Sequence, residues 1–248
     1  MRILNATENC DREPSPVASR TATENRPPSH PVASPVALFA NEGEIMSELA
    51  LLNDGVLDLN RVESLEELKT LALDCSRCSL RSGCSGVVFG EGSERARLML
   101  IGEGPGADED RLGRPFVGKA GQLLDRMLSA IGLERFQHTY IANVVKCRPP
   151  GNRTPGFDEA RACLPWLVKQ ILLISPAIII LLGSTAVKNL IDPKASITAM
   201  RGQWLTSRSG IKIMPTYHPA ALLRDPAKKR PVWEDLQKVR DLYNASDI

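Results

Sequence analysis

The stretch LMLIGEGPGADEDRLGRPFVGKAGQLL, residues 98–124, decides the fold. An apolar run breaks at the glycine turn GEGPG, and a helix-like pattern follows in AGQLL. Strand, glycine turn and helix in that order usually cradle phosphate, because backbone N–H groups and a helix N-terminus attract anions. Here the turn itself carries Glu103, and Asp108, Glu109 and Asp110 follow it closely. Four carboxylates beside a phosphate site would repel the ligand. The turn is not G-x-G-x-x-G and no G-K-[ST] follows it, which also argues against a nucleotide-binding enzyme.

Outward from this unit the alternation repeats. RLMLIG (97–102), TYIANVV (139–145), PAIIILLG (176–183) and GIKIMPTYHP (210–219) carry four strands. SLEELKTLAL (64–73), AGQLLDRMLSAIGL (120–133), DEARACLPWLVKQILLI (158–174), STAVKNLI (184–191) and PVWEDLQKVRDLY (231–243) read as helices. Ser64 followed by Glu67 forms a capping box, Ser184 is a plausible cap, and Pro165 limits regularity near the start of its helix. PAIIILLG is apolar on both faces, as the middle of a parallel sheet requires. The pattern predicts an α/β fold, a three-layer αβα sandwich around a mostly parallel four-stranded sheet. Ligands of such sheets sit beyond the carboxyl ends of the strands. Those ends carry GEGPG, Asn143, Gly183 and His218, which locates the site.

Composition bounds the rest. Apolar residues make up 43% of the 248, enough for a core, and no apolar run reaches the length of a membrane span. The opening residues MRILNATENCDREP lack the apolar core of a secretory signal, so the chain is expected to be cytoplasmic. Residues 1–45 are rich in Pro, Ser, Ala and Thr and are expected to be a disordered tail. Residues 46–63 are read as a linker or peripheral segment, and 64–248 as the folded domain. Within the tail, SPVALFANE loosely resembles the short apolar peptides that dock on bacterial sliding clamps. The net charge of +2 hides a split: the first 45 residues hold four Arg against six Asp or Glu, so the remainder is modestly basic. That excess is compatible with nucleic acid and too small to argue for it alone.

Without an export signal, the six cysteines read as reduced thiols or metal ligands rather than disulfides. Cys75 and Cys78 form a C-x-x-C pair in a turn-rich loop, and Cys147 and Cys163 complete a set of four. Four thiolates fit either a tetrahedral zinc or a cubane iron–sulfur cluster, and spacing alone does not separate them. Cys84 is a possible substitute ligand, and Cys10 lies in the tail.

GEGPGADED, GRPFVGKAGQLL, NVVKCRPPGNRTP, LLGSTA and YHPAALL, taken with the four cysteines, resemble the family 4 uracil-DNA glycosylases, iron–sulfur members of the uracil-DNA glycosylase superfamily. The resemblance covers roughly residues 65–245. It implies a [4Fe–4S] cluster on Cys75, Cys78, Cys147 and Cys163, and an enzyme that flips uracil out of DNA and hydrolyses its N-glycosidic bond, starting base excision repair. It places Glu103, Gly104 and Pro105 along the uracil ring, Phe116 stacked on it and Asn143 on its N3–H and O4 edge. His218 would donate to O2, while Glu109 and Asn152 are the candidates for stabilising the cationic sugar and orienting water.

A neutral pyrimidine in the pocket also fits the acidic turn. Arg148, Arg153, Arg224, Lys228, Lys229 and Arg230 surround the strand ends as candidate phosphate contacts. A related group carries an inserted basic loop with a histidine that traps the sugar; CRPPGNRTP has neither, which implies ordinary turnover. The expected partner is uracil-containing DNA, met by a monomer with no membrane contact. The competing expectation is a non-catalytic nucleic-acid-binding module with a structural metal, which would not need Asn143, Phe116 and His218 to converge.

Overall fold

The computed structural model describes residues 58–245. The tail, its clamp-like peptide and Cys10 lie outside the described residues. Leu59 and Val62 are already buried in the core, so packed structure begins within the segment read as a linker.

One mixed sheet of six strands organises the domain: β1 (Glu91–Gly92), β2 (Leu98–Gly102), β3 (Thr139–Asn143), β4 (Ile178–Leu182), β5 (Leu205–Thr206) and β6 (Lys212–Thr216). Their spatial order is β1-β3-β2-β4-β6-β5. The four expected strands form its parallel centre, β3-β2-β4-β6. The expected count of four is corrected by the two-residue strands β1 and β5, which add antiparallel edges and are too short to leave a periodic pattern.

Every residue of β2, β3 and β4 is buried. Alternate residues feed two separate cores, because side chains alternate between the faces of a sheet. Met99, Ile101, Tyr140, Ile179 and Leu181 face one core, and Leu98, Leu100, Ile141, Ile178 and Ile180 face the other. The first is covered by helices α1 (Leu65–Leu73), α5 (Phe157–Ile174) and α6 (Ser184–Leu190), through residues such as Leu68, Trp166 and Val187. Helices α3 (Lys119–Ala130), α8 (Pro219–Arg224) and α9 (Lys229–Asn244) cover the second, through Leu124, Leu222 and Leu236. Three short helices, α2 (Ala107–Leu112), α4 (Arg135–His138) and α7 (Ile197–Met200), were not expected from the sequence.

Local capping follows the expected chemistry with two corrections. Ser64 accepts a hydrogen bond from the Glu67 N–H at the start of α1. Gly183, not Ser184, caps α6, because the turn out of β4 needs a φ of 92° that only glycine adopts freely. The α5 helix also runs continuously through Pro165.

Strand β2 has β3 on one side and β4 on the other, so the connections reverse direction across it. That reversal opens a crevice at its carboxyl end. The GEGPG turn leaves β2 at this point. It stays anchored beside β3, because Val144 and Val145 donate their N–H groups to the Gly102 and Glu103 carbonyls.

Candidate active site and thiol cavity

A pocket of about 580 Å3 lies at the strand ends. Its wall brings together Glu103, Gly104, Pro105, Glu109, Phe116, Asn143, Asn152 and His218, all the candidate pocket residues read from the sequence. The thiol cavity is separate, and no residue lines both.

Asn143 ends β3 directly opposite Gly102, the last residue of β2. Gly102 is required there: a Cβ at this position would lie 2.5 Å from Asn143 Oδ1 and from Phe116 Cζ. The Asn143 side chain is buried, yet its Oδ1 has no hydrogen-bond partner. An orphaned carbonyl oxygen costs stability unless something donates to it. Its backbone carbonyl accepts from Lys146 Nζ at 2.9 Å, and the same buried ammonium donates to Gln170 Oε1 at 2.6 Å. Burial pushes the Lys146 ammonium down to about 8.

His218 caps α8, with Nδ1 accepting from the Ala220 N–H at 3.1 Å. An accepting Nδ1 leaves the proton of a neutral imidazole on Nε2, free to be donated. Burial, with help from the nearby Arg224 charge, lowers the imidazole to about 4, so the ring is neutral at physiological pH. It faces the Phe116 ring with centroids 5.4 Å apart.

The acidic residues divide by role. Glu103 accepts a short hydrogen bond from Thr185 Oγ1, which fixes it against α6. Glu109 accepts from the N–H groups of Gly106 (3.1 Å), Val117 (2.8 Å) and Gly118 (2.8 Å). Its carboxylate therefore ties the turn to the segment carrying Phe116, and the three bonds use most of the four acceptor sites a carboxylate offers. Asp110 turns away from the pocket, towards the N–H and hydroxyl of Ser85. Asn152, in a left-handed turn with φ 57°, accepts from Arg148 Nε at 2.8 Å.

Of the basic residues, Arg153, Arg224 and Lys228 line the pocket. Arg153 is also held by Glu159 in a two-pronged ion pair of 2.7 and 2.6 Å. Lys228 pairs with Asp225 at 3.1 Å and lies over the Tyr217 ring. Arg230 pairs with Glu234 at 3.4 Å.

Cys75, Cys78, Cys147 and Cys163 line one cavity, together with Lys146, Arg77 and Trp166. They come from the loop after α1, the segment after β3, and α5. Cys163 Sγ accepts the Lys146 N–H at 3.2 Å. Burial and neighbouring thiols push Cys147 and Cys78 up, and burial pushes Cys163 up to about 12. The Cys84 thiol donates to the Arg81 carbonyl at 3.5 Å and does not line the cavity. Among the described residues, no three His, Cys, Asp or Glu side chains converge on a position for one metal ion.

Sequence reading assigned no role to Thr185, Lys146, Gln170 and Arg135, which hold site residues in place. Thr185 and Lys146 lie within the motif stretches LLGSTA and NVVKCRPPGNRTP, while Gln170 and Arg135 lie in no motif.

The profile of the Uracil DNA glycosylase superfamily matches residues 89–237. A type-4 uracil-DNA glycosylase of Sulfurisphaera tokodaii is 44% identical over 189 residues, covering 73% of this chain and 86% of that protein. One from Thermotoga maritima is 44% identical over 183 residues, covering 73% and 95%. A type-5 uracil-DNA glycosylase of Mycobacterium leprae is 30% identical over 155 residues, covering 54% and 67%.

Proposed function

The chain belongs to the uracil DNA glycosylase superfamily, with type-4 enzymes among its relatives, and from that premise we propose how its pocket takes uracil from DNA. The enzyme is a uracil-DNA glycosylase, a hydrolase of N-glycosyl bonds acting in DNA repair. A base stacked in a duplex does not present its glycosidic bond and Watson–Crick edge to such a pocket, so the nucleotide must be flipped out.

The unpaired Oδ1 of Asn143 carries the reading. Uracil presents N3–H as a donor beside O4 as an acceptor, so Oδ1 receives N3–H and the amide nitrogen donates to O4. Cytosine offers an acceptor at N3 and a donor at C4, which would leave buried groups unpaired at about 1–3 kcal/mol each. Phe116 stacks on the ring, and the Glu103–Gly104–Pro105 turn lines its edge.

Cleavage breaks the bond between C1′ and N1 and builds positive charge on the sugar and negative charge on uracil. The neutral His218 donates from Nε2 to O2 as that charge develops, which stabilises the transition state more than the ground state. Water adds at C1′ and loses a proton, which ends on the departing uracil anion, leaving an abasic site and neutral uracil. Asn152 and the remaining acceptor site of Glu109 are the groups that orient this water, with Glu109 also offsetting the sugar charge.

The residues around the thiol cavity fit a [4Fe–4S] cluster. Cys75, Cys78, Cys147 and Cys163 face one space without a carboxylate or imidazole among them, and the buried Lys146 ammonium stands near Cys163. Four thiols match the four metal corners of such a cluster, and the family resemblance favours it over zinc. When bound, the cluster supplies iron–thiolate cross-links between the loop after α1, the end of β3 and α5. Metal must displace the thiol protons that burial retains.

Action as a monomer is part of the same proposal. Arg224, Lys228 and the neighbouring cations would contact phosphates and make binding salt-dependent. No helix among the described residues is long and apolar enough to cross a membrane. A cytoplasmic location and sliding-clamp docking through the tail remain part of the proposal.

The test is an end-labelled oligonucleotide bearing one uracil, incubated with enzyme and treated with hot alkali. Scission at uracil, none at a thymine control and none without alkali are expected. Strongly slowed scission in Asn143→Ala, Phe116→Leu and His218→Gln, with DNA binding retained, separates an enzyme from a binding module. Normal cleavage by all three variants would refute the assigned pocket.

A further inference from the structure

The Phe116 backbone adopts φ 51°, in the left-handed region where a residue with a Cβ is strained. Such strain persists only where the surroundings over-determine it. The restraint comes from a residue outside the pocket. Arg135, at the start of α4, is 8% exposed. Its guanidinium donates to the carbonyls of Pro115 (2.9 Å) and Phe116 (2.5 Å). Nε donates to Asp125 at 2.8 Å, and a further short bond reaches Glu91. Four partners therefore take up most of the five N–H groups in one rigid planar fork.

Two further features complete the clamp. Glu109 holds the N–H groups of Val117 and Gly118 from the opposite side. Gly121 leaves room for the bend, since a Cβ there would fall 1.8 Å from the Phe116 carbonyl oxygen.

We propose that Arg135 is a positioning residue for uracil: by fixing the carbonyls of Pro115 and Phe116, it holds the Phe116 ring at the angle required to stack on the flipped base. The inference rests on the stacking role given to Phe116. Asp125 and Glu91 orient the guanidinium in turn, which places determinants of base binding on α3 and β1, away from the pocket wall. Lysine cannot replace this fork, because a single ammonium cannot reach both carbonyls and both carboxylates in fixed directions.

The test is a double-mutant cycle on the full chain, reading kcat and KM on a uracil oligonucleotide and the inhibition constant of free uracil. In the parent, Arg135→Lys should lower kcat/KM about ten-fold or more and weaken free uracil binding. In Phe116→Leu, the same change should cost less than about two-fold, since the ring it positions is gone. Equal losses in both backgrounds would show that Arg135 acts on general stability and would overturn the proposal. Full activity in Arg135→Lys beside a crippled Phe116→Leu would overturn it alone. Full activity in Phe116→Leu would sink the stacking role itself, and the inference with it. If Arg135→Lys does not give folded protein, Asp125→Asn takes its place in the cycle, because Asp125 is half-exposed and Arg135 keeps Glu91. The expected loss is then about three-fold, again confined to the Phe116 background.

Discussion

At the scale of single residues, the proposed mechanism rests recognition and leaving-group stabilisation on Asn143 and His218. Truncating Asn143 to Ala removes two hydrogen bonds to uracil, and kcat/KM should fall about 10²–10³-fold. The melting temperature should hold or rise slightly, because the lost Oδ1 is an unpaired buried acceptor in the free protein. Steady-state kinetics beside a thermal melt checks both. His218 sets a pH signature. Its imidazole protonates near 6.5 when unfolded and only near 4 when folded. Between those values the unfolded chain binds more protons, so stability is complete above pH 6.5 and falls as pH drops towards 4. His218→Gln should flatten that part of the stability–pH curve, measured by denaturant titration. The rate profile of the parent should show no limb near 6.5 from this group.

At the scale of elements, the segment 115–118 is held through its carbonyls by Arg135 and through its amides by Glu109. Glu109→Gln keeps one acceptor oxygen and brings an NH2 group against backbone donors. It should lose about 1–3 kcal/mol of stability as well as activity, read from denaturant midpoints and turnover. Gly121→Ala should destabilise the same segment by about 1–3 kcal/mol, because its Cβ would overlap the Phe116 carbonyl oxygen.

Element scale also explains what could be read in advance. β2, β3 and β4 are buried throughout and announce themselves as apolar runs, and α1 carries its own cap. β1 and β5 are two residues long and leave no period. Asn143 and His218 were legible because strand ends are where such folds place ligands. Arg135 and Thr185 were not: their partners lie 19 to 20 and 82 residues away, and only the folded sheet brings them together.

At the scale of the molecule, the segment that leaves β3 contributes to both the thiol cavity, through Val145, Lys146 and Cys147, and the base pocket, through Pro149 and Asn152. Lys146 connects them, lining the cavity while its ammonium holds the Asn143 carbonyl. With the proposed cluster in the cavity, removing its iron should therefore lower the melting temperature by roughly 10 °C, as expected for the loss of a few kcal/mol in a domain of this size. Uracil affinity should weaken in parallel. Iron and sulfide analysis beside calorimetry and free-uracil binding checks the link. Glu159 reinforces the same region by joining Arg153, the Gly156 N–H and Ser79. These partners hold its carboxyl down to about 2, with Arg153 the main cause. This contribution is present above about pH 4.5 and is lost as pH falls towards 2.

The central claim is that Asn143 Oδ1 reads the N3–H of a flipped uracil. The most direct measurement compares single-turnover excision of uracil and N3-methyluracil from otherwise identical oligonucleotides, by the parent and by Asn143→Ala. The parent should excise uracil at least about 10²-fold faster, as expected for a lost hydrogen bond plus a clash at the buried acceptor. The gap should narrow in Asn143→Ala. Equal excision of the two bases by the parent, or an unchanged gap in the variant, would contradict the account.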